Sequence, residues 1–144
     1  MPRPRKPRGH CKSCNKKLIH SRPAAIYCDN HCQNEHKYSE YVHRWKVGLE
    51  TGSSINGEAV SDYLRRYLLE TRGERCEECH WAQRHSITGR IPLTVHHIDG
   101  NYENNAEENL QLLCPNCHSL TPSYGILNRG NGRRVRRKQY RTGP

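Results

Sequence analysis

Residues 96–118 read HHIDGNYENNAEENLQLLCPNCH, and this stretch decides the fold of the chain. It contains a pair of adjacent histidines, an asparagine just before a short apolar run, and the sequence Cys-Pro-Asn-Cys-His. A second Cys-x-x-Cys pair lies upstream, at Cys76 and Cys79. Cysteine thiolates and histidine nitrogens are common protein ligands of zinc. The stretch therefore predicts a domain built around bound metal.

The composition leaves little material for an apolar core. Of 144 residues only 33% are hydrophobic, none is Phe, and eight are Cys. Small cores of this kind are usually supplemented by disulfides or metals. The basic, proline-rich start is not followed by an apolar segment, so we expect no signal peptide and no membrane span. We therefore expect an intracellular protein, in the cytoplasm of a bacterial host cell if it is phage-encoded, whose reduced cysteines bind zinc.

Two sets of four cysteines are predicted to bind one structural Zn²⁺ each. One set combines two Cys-x-x-Cys pairs, which is typical of a four-thiolate site: Cys76, Cys79, Cys114 and Cys117. Four thiolates leave no position for water, so this site should be structural. The other set has one wider pair: Cys11, Cys14, Cys28 and Cys32. Near it, His10, His31 and His36 are alternative ligands.

Positive charge is concentrated at both ends of the chain. Residues 1–28 hold eight Lys/Arg and no acid, and residues 124–144 hold seven and no acid, whereas all fourteen Asp/Glu lie between them. Basic arms of this kind bind the phosphates of a nucleic acid with little sequence preference; the alternative is a pair of solvated tails. The candidate nucleic-acid-binding residues of the C-terminal arm are Arg133, Arg134, Arg136, Arg137 and Lys138.

Two helices are predicted from local signals in the first half of the chain. Asp29 is a good N-cap for a helix over residues 30–47, which Gly48 should end. A second helix is expected to begin at Glu58, where apolar residues start to recur at helical spacing, and to end at Gly73. This second helix should pack on the zinc unit that follows it.

The second half is predicted to contain two strands and a helix. Apolar and polar residues alternate towards the histidine pair, which indicates a strand over residues 91–97, and residues 110–113 form a second short apolar run. Pro115 fits the first turn of a helix that should continue to about Tyr124. The predicted order of elements is therefore strand, loop, strand, helix.

With its histidine pair, asparagine and final histidine between paired Cys-x-x-Cys sequences, the chain resembles the HNH endonuclease family over roughly residues 74–124. The resemblance implies a small, zinc-stabilised α+β fold of the ββα-metal type, preceded by an N-terminal zinc knuckle and a helical segment. It also implies that His96 and His118 bind one catalytic divalent ion, that His97 is the general base, and that Asn109 braces the loop. The ion expected is Mg²⁺ or Mn²⁺, with Zn²⁺ and Ni²⁺ as alternatives.

The residue types suit the implied reaction, which is hydrolysis of DNA phosphodiester bonds by nicking or double-strand cleavage. A water must be deprotonated near neutral pH, and histidine is the side chain whose ordinary pKa is closest to that need. In a regular strand His96 and His97 point to opposite faces, which separates their roles. A backbone carbonyl of the loop is expected to hold the other ring nitrogen of His97. Asp99 is left out of the site, because an Asp-Gly step is also an ordinary turn.

We expect five segments along the chain. They are a disordered basic arm (1–9), an N-terminal zinc module and helix (10–47), a linker (48–57), the HNH nuclease domain with its leading helix (58–124) and a basic C-terminal tail (125–144). The expected partner is DNA, in a phage, mobile-element or restriction context. A monomer and a dimer both fit, and no protein partner and no membrane partner is indicated.

Two other classes of protein share part of the pattern. A non-catalytic zinc-ribbon protein that binds nucleic acid would use the same basic ends and the same cysteines. A structural zinc protein of an RNA–protein assembly would do so as well. Neither class needs the complete set of two adjacent histidines, an asparagine and a final histidine. The endonuclease is therefore the leading prediction.

Overall fold

The computed structural model describes residues 9–19, 25–57 and 59–128. Its elements in chain order are helix α1 (Asn30–Lys46), helix α2 (Asp62–Arg72), strand β1 (Thr94–His97), strand β2 (Leu110–Leu113) and helix α3 (Pro115–Ser119). Short 3₁₀ turns occupy Glu107–Asn109 and Gly125–Leu127. Among the residues that the structure describes, none of the helices has the length and apolar character needed to span a bilayer.

The chain divides into two compact units, Met1–Leu49 and Glu50–Pro144. The division falls within the segment that the sequence suggested as a linker, and the five-segment organisation itself stays a prediction. Most of the predicted basic arm (1–9) and the basic tail beyond residue 128 lie outside the described residues. The five candidate nucleic-acid-binding residues of that tail are therefore not part of the structural description.

The first unit is a cysteine knuckle followed by α1. Its buried cluster contains Cys11, Leu18 and Cys32. The side chain of Asp29 accepts a hydrogen bond from the backbone N–H of Cys32 at 2.7 Å, so the N-cap of the helix also holds a cysteine in place. Beyond the end of α1, Gly48 adopts a φ of 77°, which suits glycine best. The predicted helix is confirmed to within one residue.

The second unit corrects the predicted start of the second helix. Helix α2 begins at Asp62, not at Glu58, because the side chain of Ser61 caps it by accepting a hydrogen bond from the backbone N–H of Leu64. The residues before it form a turn instead, in which Val60 pairs with Ser53 as an isolated antiparallel bridge. The pairing of Val60 with Ser53 thus keeps this residue out of the helix.

Two further boundaries differ from the predicted ones. Strand β1 spans Thr94–His97, so the buried residues Ile91 and Leu93 precede it and pack in the core without sheet pairing. Helix α3 ends at Ser119 and does not reach Tyr124. Pro122 accounts for the early end, since a proline disfavours the helical conformation of the residue before it.

The core of the second unit lies between α2 and the two strands. Strands β1 and β2 pair antiparallel, with His96 opposite Gln111 and His97 opposite Leu110. The most deeply buried side chains come from α2, from β2 and from the Cys76–Cys79 pair of the same unit: Leu64, Leu68, Leu110, Leu112, Leu113 and Cys76. The order β1, β2, α3 confirms the predicted small α+β fold with a ββα segment.

Polar side chains of α2 fasten the helix to the backbone around both strands. Arg65 donates from Nη2 to the carbonyl of Leu93 at 2.6 Å, just before β1. Arg72 donates from Nη2 to the carbonyl of Glu107 at 2.7 Å and from Nη1 to the carbonyl of Leu110, at the start of β2. These bonds hold the strand pair that carries the histidines.

Candidate active site

Three histidines converge on one cavity in the second unit. His96 and His97 are the last two residues of β1, and His118 lies on α3. Helix α3 begins at Pro115, where the thiol of Cys114 accepts a hydrogen bond from the backbone N–H of Cys117 at 3.4 Å. The cavity has a volume of about 340 Å³, and all three histidines line it.

His96 and His118 face each other across part of this cavity. Their ring centroids lie 5.4 Å apart, with an angle of 63° between the ring planes. His96 is buried, and its pKa is lowered by burial and by the positive charges that His118 and His97 carry when protonated. A lowered pKa favours the neutral imidazole, which is the form that binds metal. The pair therefore fits a divalent ion with two imidazole ligands and open positions.

His97 has a different partner from His96. Its Nε2 lies 2.9 Å from Oδ1 of Asn105, a side chain that is only 4% exposed. The sequence led us to expect a backbone carbonyl at this place, and the structure puts a side-chain amide there instead. Asn105 is one of four asparagines in the loop, and nothing in its local sequence marks it as the partner of His97. The separate partners of His96 and His97 agree with separate roles.

Asn109 braces the loop between β1 and β2, which spans residues 98–109. Its Nδ2 donates to Oδ1 of Asp99 at 2.9 Å and to the carbonyl of Asn104 at 2.8 Å. Its Oδ1 accepts from the backbone N–H of Asp99 at 3.0 Å. These three bonds tie the end of the loop to its beginning, which is the arrangement expected of a bracing residue.

Asp99 organises the same loop and directs its carboxylate to loop residues. Its Oδ1 accepts the hydrogen bond from Asn109 described above. Its Oδ2 accepts a hydrogen bond from Nδ2 of Asn104 at 2.7 Å. Burial acts to raise the pKa of this carboxyl, but the hydrogen bonds from Asn104 and from the loop outweigh it and lower the pKa. The anionic carboxylate is thus engaged in the loop, and its exclusion from the metal site stays a prediction.

Both cysteine sets form compact clusters. Within each set the four sulfur atoms all lie within 4.8 Å of one another: Cys11, Cys14, Cys28 and Cys32 in the first unit, and Cys76, Cys79, Cys114 and Cys117 in the second. All eight cysteines are free thiols. His10, His31 and His36, the alternative ligands considered for the first set, are not members of its cluster. Each set has the donor chemistry and the spacing needed to bind a metal ion.

Comparison with known proteins agrees with this geometry. Residues 76–121 match a family model described as HNH endonuclease. The chain is 40% identical over 97 residues to H-N-H endonuclease F-TflIV of Escherichia phage T5. That alignment covers 63% of the chain and 40% of the relative, so the chain spans well under half of the relative's length. No solved structure matches the chain significantly. Residues 76–121 therefore form a domain of the HNH endonuclease type.

Proposed function

We propose that this chain is a metal-dependent endonuclease that hydrolyses phosphodiester bonds of DNA. The observation that carries the proposal is the convergence of His96, His97 and His118 on one cavity, inside a domain of the HNH type. A zinc-ribbon protein that only binds nucleic acid has no use for such a cavity. The phage relative is itself named an endonuclease, which supports the same activity and a phage setting within a host cell.

His96 and His118 would hold one divalent ion, for which Mg²⁺ or Mn²⁺ is proposed. A divalent ion bound there would supply Lewis-acid stabilisation of negative charge on the leaving oxygen. The two cysteine clusters would each hold a structural Zn²⁺, since four thiolates saturate a tetrahedral zinc ion. On this assignment a metal ion held by the two imidazoles keeps free coordination positions, whereas a zinc ion held by four thiolates has none.

His97 would act as the general base. In its neutral form it would take a proton from the water whose oxygen bonds to phosphorus. The bond between phosphorus and the 3′ oxygen breaks, and the leaving oxygen takes a proton from solvent. The products are a 5′ phosphate and a 3′ hydroxyl. Asn109 contributes by holding the loop that follows His97 in a single conformation, through its bonds to Asp99 and Asn104.

Contacts to the DNA backbone would come from the basic ends of the chain, including Arg133, Arg134, Arg136, Arg137 and Lys138. Such contacts add affinity that falls with increasing salt, and they carry no sequence information. The proposed substrate class is therefore DNA in general, with the cleavage point presented to the cavity of the second unit.

The test is cleavage of supercoiled plasmid by the zinc-loaded protein with Mg²⁺ or Mn²⁺. Replacing His97→Ala should lower the cleavage rate by about 100-fold or more, the size expected for loss of a general base, without loss of DNA binding. The matched control is His43→Ala, which removes an exposed histidine of α1 in the first unit. A wild-type protein that cleaves with none of Mg²⁺, Mn²⁺, Zn²⁺ and Ni²⁺ would contradict the proposal.

A further inference from the structure

Asn105 connects His97 to a segment that lies outside the HNH-type residues. While its Oδ1 faces His97, its Nδ2 donates to the carbonyl of Thr51 at 3.0 Å and to the hydroxyl of Ser53 at 3.0 Å. Both of these residues precede α2 and lie well before residue 76, where the family match begins. A buried amide is thus held on both of its polar atoms, by two separate parts of the second unit.

The partners of Asn105 determine which way its amide is turned. The carbonyl of Thr51 can only accept a hydrogen bond, so it must face the nitrogen of the amide and not its oxygen. The oxygen then faces His97. Since that oxygen also can only accept, Nε2 of His97 must carry a hydrogen. In the neutral imidazole the lone pair is left on Nδ1.

The segment that holds Asn105 is itself anchored. Thr51 and Ser53 flank Gly52, whose carbonyl accepts from the backbone N–H of Ser61 at 2.8 Å. Ser61 in turn caps α2, and α2 is fastened to the strand region by Arg65 and Arg72. The position of the amide is therefore set by the same helix that supports the strand carrying His97.

We infer that Asn105 is a positioning residue for His97, which keeps Nε2 protonated and makes Nδ1 the proton-accepting atom. This inference rests on the proposed role of His97 as the base. A base works only if the correct nitrogen is free and correctly oriented, and an acceptor on the opposite nitrogen supplies both conditions. The segment around Thr51 and Ser53 thereby supports the orientation of His97 through Asn105.

The first experiment reads the tautomer directly, without DNA. Two-bond ¹H–¹⁵N correlation spectra of the zinc-loaded protein, with His97 assigned from the His97→Ala spectrum, should show a neutral ring protonated on Nε2. Asn105→Ala should produce a mixture of tautomers. A wild-type ring protonated on Nδ1, or an unchanged tautomer in Asn105→Ala, overturns the inference even if the enzyme is active.

The second experiment measures plasmid cleavage. Asn105→Ala should lower kcat by about 10- to 100-fold, the range expected when a reacting group is misplaced, and leave KM within about threefold, since the side chain makes no proposed contact to DNA. Asn101→Ala is the matched control, because Asn101 is an exposed asparagine of the same loop whose side chain accepts from the backbone of Glu103. Equal rates for these two variants would refute a positioning role.

Ser53→Ala keeps the test valid if Asn105→Ala fails to fold, as judged by zinc content and thermal unfolding. It removes one of the two acceptors that hold the amide and leaves the carbonyl of Thr51, so it should give a smaller loss of kcat and a partial tautomer mixture. If both readouts match the wild type, the inference is wrong. If the wild type shows the expected tautomer but does not cleave DNA, the proposed function is wrong. The inference that Asn105 sets the tautomer of His97 is then still supported.

Discussion

Asn105 and Asn109 are almost fully buried, and each uses both the oxygen and the nitrogen of its side chain in hydrogen bonds. A buried amide left without partners costs about 1–3 kcal/mol, so these satisfied hydrogen bonds stabilise the loop between β1 and β2. At this scale, the partners of a single amide set which of its atoms faces Nε2 of His97.

Gly100 offers a test of how tightly this loop is packed. It has a φ of 73°, and a Cβ at this position would lie 2.8 Å from Oδ1 of Asn128 and 3.0 Å from Cβ of Ser123. Gly100→Ala should therefore destabilise the second unit by about 2 kcal/mol, from backbone strain and a steric clash together. Chemical denaturation of the zinc-loaded protein measures the effect.

Gly89→Ala is the matched control for this prediction. Gly89 has a similar φ of 66°, but a Cβ there would meet nothing within 4 Å. The control should cost only the backbone strain, about 1 kcal/mol. Equal destabilisation by the two substitutions would show that the contact to Asn128 and Ser123 does not constrain the loop.

At the scale of elements, α2 supports the site through its polar side chains as well as through its apolar ones. Leu64 and Leu68 are fully buried. Arg65 binds the carbonyl of Leu93 just before β1, and Arg72 binds carbonyls just before β2 and at its first residue. The helix belongs to the second unit but precedes the residues that match the HNH family model. The short strands thus depend on a neighbouring helix for their position.

Arg72→Met tests this dependence, because methionine keeps most of the apolar stem and removes the bonds to the carbonyls of Glu107 and Leu110 together with the ion pair to Glu77. We expect a loss of about 2–3 kcal/mol in the free energy of unfolding and a lower cleavage rate. Arg66→Met, which removes an exposed i,i+4 ion pair with Glu70, should cost about 0.5 kcal/mol or less. Similar unfolding curves for both variants would mean that Arg72 does not fasten the helix.

At the scale of the molecule, each compact unit contains one cluster of four cysteines. We expect about two Zn²⁺ per chain, one in each unit. Because the bound form is the thiolate, acidification should release zinc and unfold both units, and stability should rise with pH through the range in which the thiols lose their protons. Metal analysis and circular dichroism over a pH series measure both effects.

Cys76→Ser and Cys11→Ser separate the two clusters. Cys76→Ser should lower the zinc content by one and abolish plasmid cleavage, since its cluster joins the core of the second unit to α3. Cys11→Ser should also lower the zinc content by one, but leave the unfolding transition of the second unit in place. A single transition that both substitutions abolish would contradict the expectation that the second unit still unfolds in a transition of its own after Cys11→Ser.

The residues that the sequence identified well are those whose signal is local. The Cys-x-x-Cys spacing brings two thiols together whatever surrounds them, and Asp29 with Gly48 marks the ends of α1. The start of α2 and the end of α3 were predicted less well. Val60 pairs with Ser53 and so stays outside α2, while Pro122 prevents α3 from continuing.

The sequence by itself indicated the HNH-type domain through its resemblance, and it identified the cysteine pairs because the short Cys-x-x-Cys spacing brings two thiols together. Only the tertiary structure decided which partner holds His97. Asn105 donates to the carbonyl of Thr51, 54 residues away along the chain, across the second unit. No periodicity or motif encodes a contact of that length, since it exists only when separate elements share a core.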